Sequence, residues 1–383
     1  MDKNNKIYNS VMAILLIVFL FGIFFLSIIT PDKEFSESEN RKLAALPKYS
    51  TKSLLKGNFT SDFEKYISDQ IVARDFWVNL KADSEKVMGK KDNNGVYLGD
   101  DGYLFQMVEK PDKKDIENKV NAINSFSNKN KNLKKYFMLV PNSVKVLEDK
   151  LPKFADPPNQ LEYIGEVKNK LDDDIKFVDV YDTLYKAKDE YIFYKTDHHW
   201  TSKGAYYAYE KLAEDMGLTP HKEDYFDIKK VTDDFYGSLY SKSGFRNLSP
   251  DSIELYTPAS KNKESWNVQY YDKNISSKSI YNMDNLKKKD KYTVFLDGNH
   301  SLVKITTNNN TKDKRKIVIV RDSFANSIIP FLTGHFSEIY VVDLRYFTDS
   351  LDELIKDNNI DDCLILYSAN TFFEDSSVDR IGW

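Results

Sequence analysis

The chain has 383 residues, 30% of them charged and 41% hydrophobic, so it can bury a sizeable core in one or two domains. Its net charge of −4 gives no indication of the positively charged surface that nucleic-acid binding needs. The single cysteine, Cys363, excludes an internal disulfide and any site built from several cysteines, and its apolar neighbours predict a buried strand position.

The first predicted element is an uncharged apolar segment from Val11 to Ile29, close to the roughly 20 residues that a membrane-spanning helix needs. Lys3 and Lys6 precede it, and no small-residue cleavage pattern follows. We therefore predict an uncleaved signal-anchor over residues 1–30, with a cleaved signal peptide as the alternative. Charges of both signs follow the span, so they do not fix its orientation. Our working assignment is a single pass through the cell membrane with an extracytoplasmic body.

Residues 31–95 are predicted to form a membrane-proximal linker and helices. Ser61 to Glu64 resemble a capping box, which would begin a helix with its apolar residues on one face. A second helix is predicted from Arg74 to Val87.

Residues 96–383 are predicted to form one domain. It begins with a hairpin that turns at Asp101-Gly102. From about residue 112, helices and strands alternate, which favours an α/β fold with a mostly parallel sheet and helices on both faces. Residues 218–300 interrupt the alternation and are predicted as a loop-rich insertion. The predicted strands are 136–140, 175–180, 191–194, 316–320, 339–342 and 364–366, and the predicted helices are 116–126, 161–171, 202–216, one beginning near 324, and 351–355.

The segment with the greatest concentration of reactive side chains is Asp197-His198-His199-Trp200, which contains two of the five histidines. A predicted strand precedes it, and Thr201 or Ser202 can cap the helix that follows. The cluster is thus predicted at a strand-to-helix turn, and such loops on a rigid scaffold are where chemistry concentrates.

Ser323 is a second candidate, because it follows the predicted strand 316–320 at the start of a helix. Ligands of open α/β sheets bind beyond the carboxyl ends of the strands. A serine there lies beside backbone N–H groups that can stabilise an oxyanion. Asp197 and His199 could supply the acid and the base that such a serine needs, with Asp197 accepting from Nδ1–H and Nε2 facing Ser323.

Other interpretations of these residues remain open at this point. Asp322-Ser323 could simply cap a helix, and the two histidines could be structural. Asp197, His198 and His199 could also bind a metal ion, although the sequence offers no obvious further acidic ligand.

The Asp197–Trp200 segment and its setting resemble the DHHW protein family, which is similar to the SGNH-like O-acetyltransferases of alginate and other exopolysaccharide acetylation systems. The resemblance implies an SGNH-hydrolase-like, flavodoxin-like fold. Further segments that fit it are Glu39–Ala44, Ile67–Gln70, Asn94–Gly99, Gly237–Ser241 and Arg321–Phe324.

The resemblance implies that Ser323 is a nucleophile, His199 its base and Asp197 the acid that orients the base. Arg321 stands where the SGNH block has a glycine. We predict no cofactor and no bound metal ion. Candidates for contacts with the substrate or the oxyanion are Asn299, Asn326, Arg321, His198 and Trp200.

The leading hypothesis is a membrane-anchored O-acetyltransferase acting on a cell-surface polysaccharide. By resemblance, a membrane-bound O-acyltransferase would be its acetyl donor partner. One alternative is a carbohydrate acetylesterase with the same three residues. The other is a non-catalytic surface or assembly protein, in which Ser323 and His199 would lie far apart.

Overall fold

The computed structural model describes residues 3–36, 38–262, 264–308 and 314–382. The chain divides into two compact units. The first unit comprises Met1–Asn93 with Gly244–Arg246, and the second comprises Asn94–Ser243 with Asn247–Trp383.

The first unit begins with α1 (Lys3–Ile29), whose sequence from Val11 to Ile29 is apolar around the whole helix. Its candidate membrane span, Asn5–Ile29, is long and apolar enough to cross a bilayer, and no part of its most apolar window is buried inside the protein. The predicted N-terminal apolar helix is therefore confirmed, while its orientation stays a prediction.

The first unit continues with helices and two-residue strands after α1. The pair β1 and β2 is antiparallel. Arg41 donates to the buried Asp69 carboxylate, with Nη1–Oδ2 at 2.9 Å, and Arg74 Nη1 lies 2.6 Å from Glu39 Oε1. These elements are β1 (Phe35–Ser36), β2 (Arg41–Lys42), α2 (Thr51–Leu55), α3 (Asn58–Gln70), α4 (Arg74–Val87) and β3 (Asp92–Asn93).

The predicted capping box at Ser61 is wrong, whereas the second predicted helix has the expected bounds. Helix α3 starts four residues earlier than predicted, because its N-cap is Gly57 and not Ser61. Gly57 adopts a φ of 77°, which glycine tolerates best, and its carbonyl accepts from Ser61 N at 3.1 Å. Ser61 therefore lies inside the first turn and cannot cap it.

The second unit contains the alternating elements. The predicted hairpin is present as β4 and β5, which pair antiparallel around the turn at Asp101 and Gly102. Its helices are α5 (Lys113–Lys129), α6 (Ser143–Val146), α7 (Gln160–Lys170), α8 (Tyr181–Lys186), α9 (Ser202–Asp215), α10 (Ser238–Ser243), α11 (Ile329–Leu332), α12 (Leu351–Asn358) and α13 (Ala369–Glu374). Its strands are β4 (Val96–Leu98), β5 (Leu104–Gln106), β6 (Lys134–Val140), β7 (Ile175–Phe177), β8 (Phe226–Phe235), β9 (Asp251–Pro258), β10 (Ser265–Tyr270), β11 (Ile275–Ser277), β12 (Leu302–Asn308), β13 (Lys316–Arg321), β14 (Glu338–Val342) and β15 (Asp362–Ser368).

The main sheet has the strand order β11-β10-β12-β14-β13-β15-β6-β7. Strands β14, β13, β15, β6 and β7 are parallel to their neighbours within that group, and β12, β10 and β11 extend the sheet antiparallel. The mixed α/β architecture with a large, mostly parallel sheet is thus confirmed.

Both faces of the central strands are covered. In β13, Ile317 and Ile319 pack into one hydrophobic cluster while Val318 and Val320 pack into another. Helix α9 contributes to the first cluster and α5 to the second. Because alternate side chains of a strand point to opposite faces, this central strand has to be apolar along its whole length, as its sequence is.

Two predictions of local structure fail in the second unit. Residues 191–194 are not a regular strand but one side of a loop closed by a single bridge between Phe193 and Trp200. The interval 218–300, predicted as loop-rich, contains the antiparallel pair β8–β9 and the edge strands β10 and β11. A difference of detail is that the helix expected near Phe324 begins as a 3₁₀ turn over Ser323–Ser327.

A buried histidine in this unit makes the stability of the protein depend on pH. The Tyr209 hydroxyl accepts from His221 N at 2.7 Å and forms a second hydrogen bond with His335 Nε2, also at 2.7 Å. The His221 ring lies 4.3 Å from the His335 ring. Burial, followed by the nearby His221 and Arg315, lowers the pKa of His335 to about 3.

We expect His335→Gln to reduce the loss of stability in acid, because glutamine can accept from Tyr209 but does not titrate. An unfolded histidine takes up a proton near pH 6.5, whereas folded His335 stays neutral to about pH 3. The stability that neutral His335 contributes is therefore fully present above pH 6.5 and is lost as the pH falls from 6.5 to about 3. The measurement is the free energy of unfolding in urea of the full chain in detergent, at pH 7.5 and at pH 4.5. Between these pH values this free energy should fall by on the order of 1–3 kcal/mol less in the variant than in the unmodified protein. Equal losses in both proteins would contradict this account.

Candidate active site

The loop that precedes Asp197 is held by a carboxylate from another segment. The backbone N–H groups of Lys195 and Thr196 each donate to Asp251 at 2.8 Å, and the hydroxyls of Tyr191 and Thr196 donate to it as well. Burial raises the pKa of Asp251, while these four hydrogen bonds oppose the shift. Asp251 therefore holds the backbone N–H groups of the two residues that lead directly into Asp197.

Asp197 is almost fully buried, and its oxygens are surrounded by donors. Oδ1 accepts from His199 N at 3.0 Å and from His199 Nδ1 at 2.6 Å, and Oδ2 accepts from Ser238 N at 2.7 Å. Burial alone would raise the pKa of this carboxyl, but His198, His199 and the hydrogen bonds hold it well below its ordinary value. Asp197 therefore remains ionised across the physiological pH range.

Ser323 stands on the other side of His199. Its Oγ lies 2.7 Å from His199 Nε2. Since Nδ1 donates to Asp197, Nε2 is free to accept the serine proton, which is the tautomer that a base needs. Asp322, not Ser323, caps the 3₁₀ turn, because its carboxylate accepts from Phe324 N at 3.0 Å. The serine hydroxyl is left available for the histidine.

Two aromatic residues fix this arrangement. The Tyr292 ring stacks on the His199 ring, with centroids 3.7 Å apart and planes 9° apart. The Tyr292 hydroxyl donates to Ser323 O at 3.1 Å. Trp200 is fully buried, and its indole Nε1–H donates to Phe324 O at 3.0 Å. Trp200 therefore differs from the expectation of a substrate contact, because it joins the loop containing His199 to the turn containing Ser323.

Three further candidates form one polar cluster beside that turn. Asn299 Oδ1 accepts from Arg321 Nη1 at 2.5 Å and from Asn326 Nδ2 at 3.2 Å. Arg321 and Asn326 are buried, so they are positioned to hold Asn299 and not to meet a substrate, contrary to expectation. Arg321 also lies 3.3 Å from the buried carboxylate of Asp343. Only Asn299 of this group is exposed.

His198 borders the same site. Its Nδ1 lies 2.7 Å from Ser238 Oγ, its ring centroid is 3.8 Å from that of His199, and 31% of its side chain is exposed. Burial and the neighbouring His199 lower the pKa of His198 to about 4. At neutral pH His198 is thus an uncharged ring that can donate or accept a hydrogen bond.

Asp197, His198 and His199 have ligand atoms within 4.8 Å of one another, which is the geometry of a possible metal site. In the described part of the chain, however, His199 Nδ1 and Nε2 and both Asp197 oxygens are already in hydrogen bonds. A metal ion would have to break the contact between His199 and Asp197 or that between His199 and Ser323.

Four residues at this site could not be predicted from local sequence patterns. Gly237 and Ser238 lie in a segment that fits the family resemblance, but nothing indicated their contact with Asp197. Asp251 and Tyr292 stood in stretches without any recognisable pattern. All four lie between residues 218 and 300, so the supposed insertion is part of the site.

The chain is similar to one protein family in sequence and to several solved structures in fold. The family model described as DHHW protein matches residues 91–342. Among curated proteins, none matches the sequence. A solved DHHW family protein from Eubacterium siraeum is 25% identical, with a TM-score of 0.62 over 76% of this chain and 96% of that chain.

Two other solved structures are more distant in sequence. PatB1 of Bacillus cereus, determined with a sulfonyl adduct, is 22% identical, with a TM-score of 0.62 over 75% of this chain and 98% of that chain. The O-acetyltransferase domain of Pseudomonas putida AlgJ is 15% identical, with a TM-score of 0.46 over 73% of this chain and 93% of that chain. The likeness to PatB1 is one of fold.

We expect Gly237→Ala to disturb the Asp197 carboxylate. A methyl group there would lie 2.3 Å from Asp197 Cβ and 2.5 Å from its Oδ2, closer than such atoms approach. The free energy of unfolding should fall by about 1–3 kcal/mol. The downfield proton resonance of His199 Nδ1–H should shift or disappear.

Gly165→Ala is the matched control, because nothing lies within 4 Å of its added methyl group in helix α7. It should leave the resonance unchanged and raise stability by about 0.5–1 kcal/mol. A Gly237→Ala protein that keeps both its stability and the resonance would show that Asp197 does not depend on this glycine.

Proposed function

The chain belongs to the DHHW protein family, and we propose that it is a membrane-anchored, extracytoplasmic O-acetyltransferase that modifies a cell-surface polysaccharide. In this proposal Ser323 is the nucleophile, His199 the general base and Asp197 the acid that orients the base. The supporting observation is a continuous path of hydrogen bonds, 2.7 Å from Ser323 Oγ to His199 Nε2 and 2.6 Å from His199 Nδ1 to Asp197 Oδ1.

The first half-reaction acetylates the enzyme. His199 Nε2 takes the Ser323 proton as Oγ attacks the carbonyl carbon of the acetyl donor. The tetrahedral intermediate then expels the leaving group, which receives the proton from His199. The transient imidazolium is stabilised by the Asp197 carboxylate on one side and by the face of the Tyr292 ring on the other.

The second half-reaction transfers the acetyl group. A sugar hydroxyl gives its proton to His199 Nε2 and attacks the ester carbonyl. Collapse of the intermediate forms the acetylated sugar, and Ser323 regains its proton from His199. Because the base serves both halves in the same position, the acceptor has to approach where the donor left.

We assign the stabilisation of the oxyanion in the tetrahedral intermediate to two hydrogen-bond donors. Ser323 N–H stands at the first position of the 3₁₀ turn, where a helix has no internal acceptor for it. The second is the Asn299 amide, whose oxygen is held by Arg321 and Asn326, so its NH₂ group points away from them. In comparable sites each preorganised donor of this kind lowers the activation free energy by about 3–4 kcal/mol. His198, neutral and partly exposed, is assigned to the sugar acceptor.

The proposed membrane anchor is supported by the structure, whereas the proposed substrate class and acetyl donor are supported by the family resemblance. Helix α1 is long and apolar enough to hold the enzyme at the membrane. The polysaccharide substrate and a membrane-bound O-acyltransferase as donor partner follow from the family resemblance. The non-catalytic alternative required Ser323 and His199 to lie far apart, and their 2.7 Å separation favours an enzyme.

We expect a sulfonyl fluoride or an activated acetyl ester to label Ser323, because the fold neighbour PatB1 exists as a sulfonyl adduct and an activated serine reacts this way. Mass spectrometry of the full chain should map one adduct to Ser323. Ser323→Ala should abolish it, and His199→Ala or Asp197→Asn should slow it by roughly 10³-fold or more. Ser350→Ala, which removes only the capping hydroxyl of α12, should label normally. An adduct that persists in Ser323→Ala would contradict the proposal.

Transfer and hydrolysis are separated by supplying the acetyl ester with and without an unacetylated oligosaccharide. A transferase should give acetylated oligosaccharide at the expense of free acetate, whereas an acetylesterase should release acetate in both cases. In cells, Ser323→Ala should lack the surface O-acetyl groups that wild type adds. Unchanged surface acetylation would rule out the assigned role.

A further inference from the structure

We propose that Asp297 is a positioning residue for the reaction assigned above: its carboxylate fixes a left-handed turn that aims the Asn299 amide at the oxyanion. This inference rests on the proposed function, in which Asn299 is one of the two oxyanion donors. It goes further, because Asp297 acts through Asn299 and not through contact with the acetyl group.

The turn that precedes Asn299 has an uncommon backbone conformation. Gly298 N donates to Phe295 O at 3.1 Å, which closes a turn of four residues. Its two central residues, Leu296 and Asp297, have φ values of 55° and 56°, and Gly298 follows with a φ of 91°. Turns with positive φ at both central positions usually have Gly, Asn or Asp there. A leucine rarely adopts this conformation, so contacts outside the turn have to hold it.

The Asp297 carboxylate provides such contacts. Its Oδ1 accepts from Asn282 Nδ2 and Asn285 Nδ2, each at 2.8 Å, and its Oδ2 accepts from Lys273 Nζ at 2.6 Å. Only 11% of the Asp297 side chain is exposed. Burial alone would raise the pKa of Asp297, but its hydrogen bonds with these three side chains lower that pKa. The carboxylate is therefore charged at neutral pH and ties the turn to two other segments of the chain.

The residue after Asn299 fixes the backbone from the other side. His300 is buried, its Nδ1 lies 2.9 Å from both carboxylate oxygens of Asp272, and its Nε2 lies 3.2 Å from Asp297 O. The His300 ring thus joins the turn to the chain at Asp272. Asn299 itself is exposed, yet it stands between two residues whose side chains are held in place.

The consequence is a hydrogen-bond donor whose direction is set before any substrate binds. Arg321 and Asn326 hold the side-chain oxygen of Asn299, and Asp297 holds the backbone from which that side chain projects. An exposed asparagine on a loose loop would have to be ordered as the oxyanion forms. A donor that is already ordered stabilises the transition state without that cost, and structural strain next to a reactive centre is often retained for this purpose.

The test measures the rate at which an activated acetyl ester acetylates Ser323 in the full chain. Asp297→Gly removes the carboxylate, and glycine accepts a φ of 56° without steric conflict. Asn359→Gly is the matched control, because Asn359 has a φ of 51° at the end of α12. Asp297→Asn is the conservative variant, since its amide oxygen can still accept from Asn282 and Asn285.

We expect Asp297→Gly to slow acetylation of Ser323 by roughly 10–10²-fold, because the Asn299 amide is no longer aimed. Asp297→Asn should be clearly faster than Asp297→Gly, and Asn359→Gly should match the unmodified protein. Urea unfolding checks that each variant is folded. A folded Asp297→Gly protein with an unchanged rate, or an Asp297→Asn protein no faster than it, would overturn the inference.

A double variant separates positioning from a general loss of structure. Asn299→Ala alone should slow acetylation by roughly 10²–10³-fold. Adding Asp297→Gly to it should change the rate by less than about twofold, because both substitutions remove the same donor. Equal slowing by Asp297→Gly with and without Asn299→Ala would overturn the inference, since Asp297 would then act through another group.

Failure of the proposed function gives a different result. An unmodified chain whose Ser323 is not acetylated by the ester would contradict the assigned nucleophile. An Asn299→Ala protein with an unchanged rate would contradict the oxyanion assignment and this inference with it, while Ser323 would remain the nucleophile.

Discussion

The buried charge of Asp197 is the constraint on which the site depends. A carboxylate removed from water without partners is strongly unfavourable, so the fold has to surround it with donors. His199 supplies two of these donors and the backbone of Ser238 a third. Satisfying the charge also fixes the tautomer and the orientation of His199, and requires a residue without a side chain at Gly237. Stability and the geometry of the proposed chemistry thus have the same origin.

The segment 218–300 acquires a different meaning from this. Its strands β8 and β9 form a separate two-stranded antiparallel sheet, and β10 and β11 add two strands to the edge of the main sheet. This segment contributes four residues to the site. They are Gly237 beside Asp197, Asp251 bound to the loop before Asp197, Tyr292 stacked on His199, and Asn299 beside the turn of Ser323. Asp197, His199 and Ser323 all lie outside the segment 218–300, and that segment supplies residues that contact them.

The fold could be predicted because the central strands are apolar on both faces and alternate with amphipathic helices, a pattern visible locally. The placement of Ser323 at a strand end and of Asp197 and His199 in one turn was also accessible from sequence. Other features were not. The run 191–194 has strand composition, yet Ile192 N and Tyr194 N donate to Glu190 O and His199 O within the same loop. The next two N–H groups along the chain donate to Asp251, which lies more than fifty residues away. Likewise, no local pattern shows that Arg321 and Trp200 are buried and have structural partners.

The indole of Trp200 has a consequence for how the protein matures. Its bonds to the carbonyl of Phe324 and the hydroxyl of Ser327 close a loop of more than a hundred residues, as does the bond from His199 to Ser323, which spans 124 positions. Contacts of such long sequence separation form late, after the entropy of the intervening chain has been lost. Under the mechanism proposed above, Ser323 in a nascent or partly unfolded chain would be as inert as any other alcohol, and its reactivity would arise only at the final step of folding.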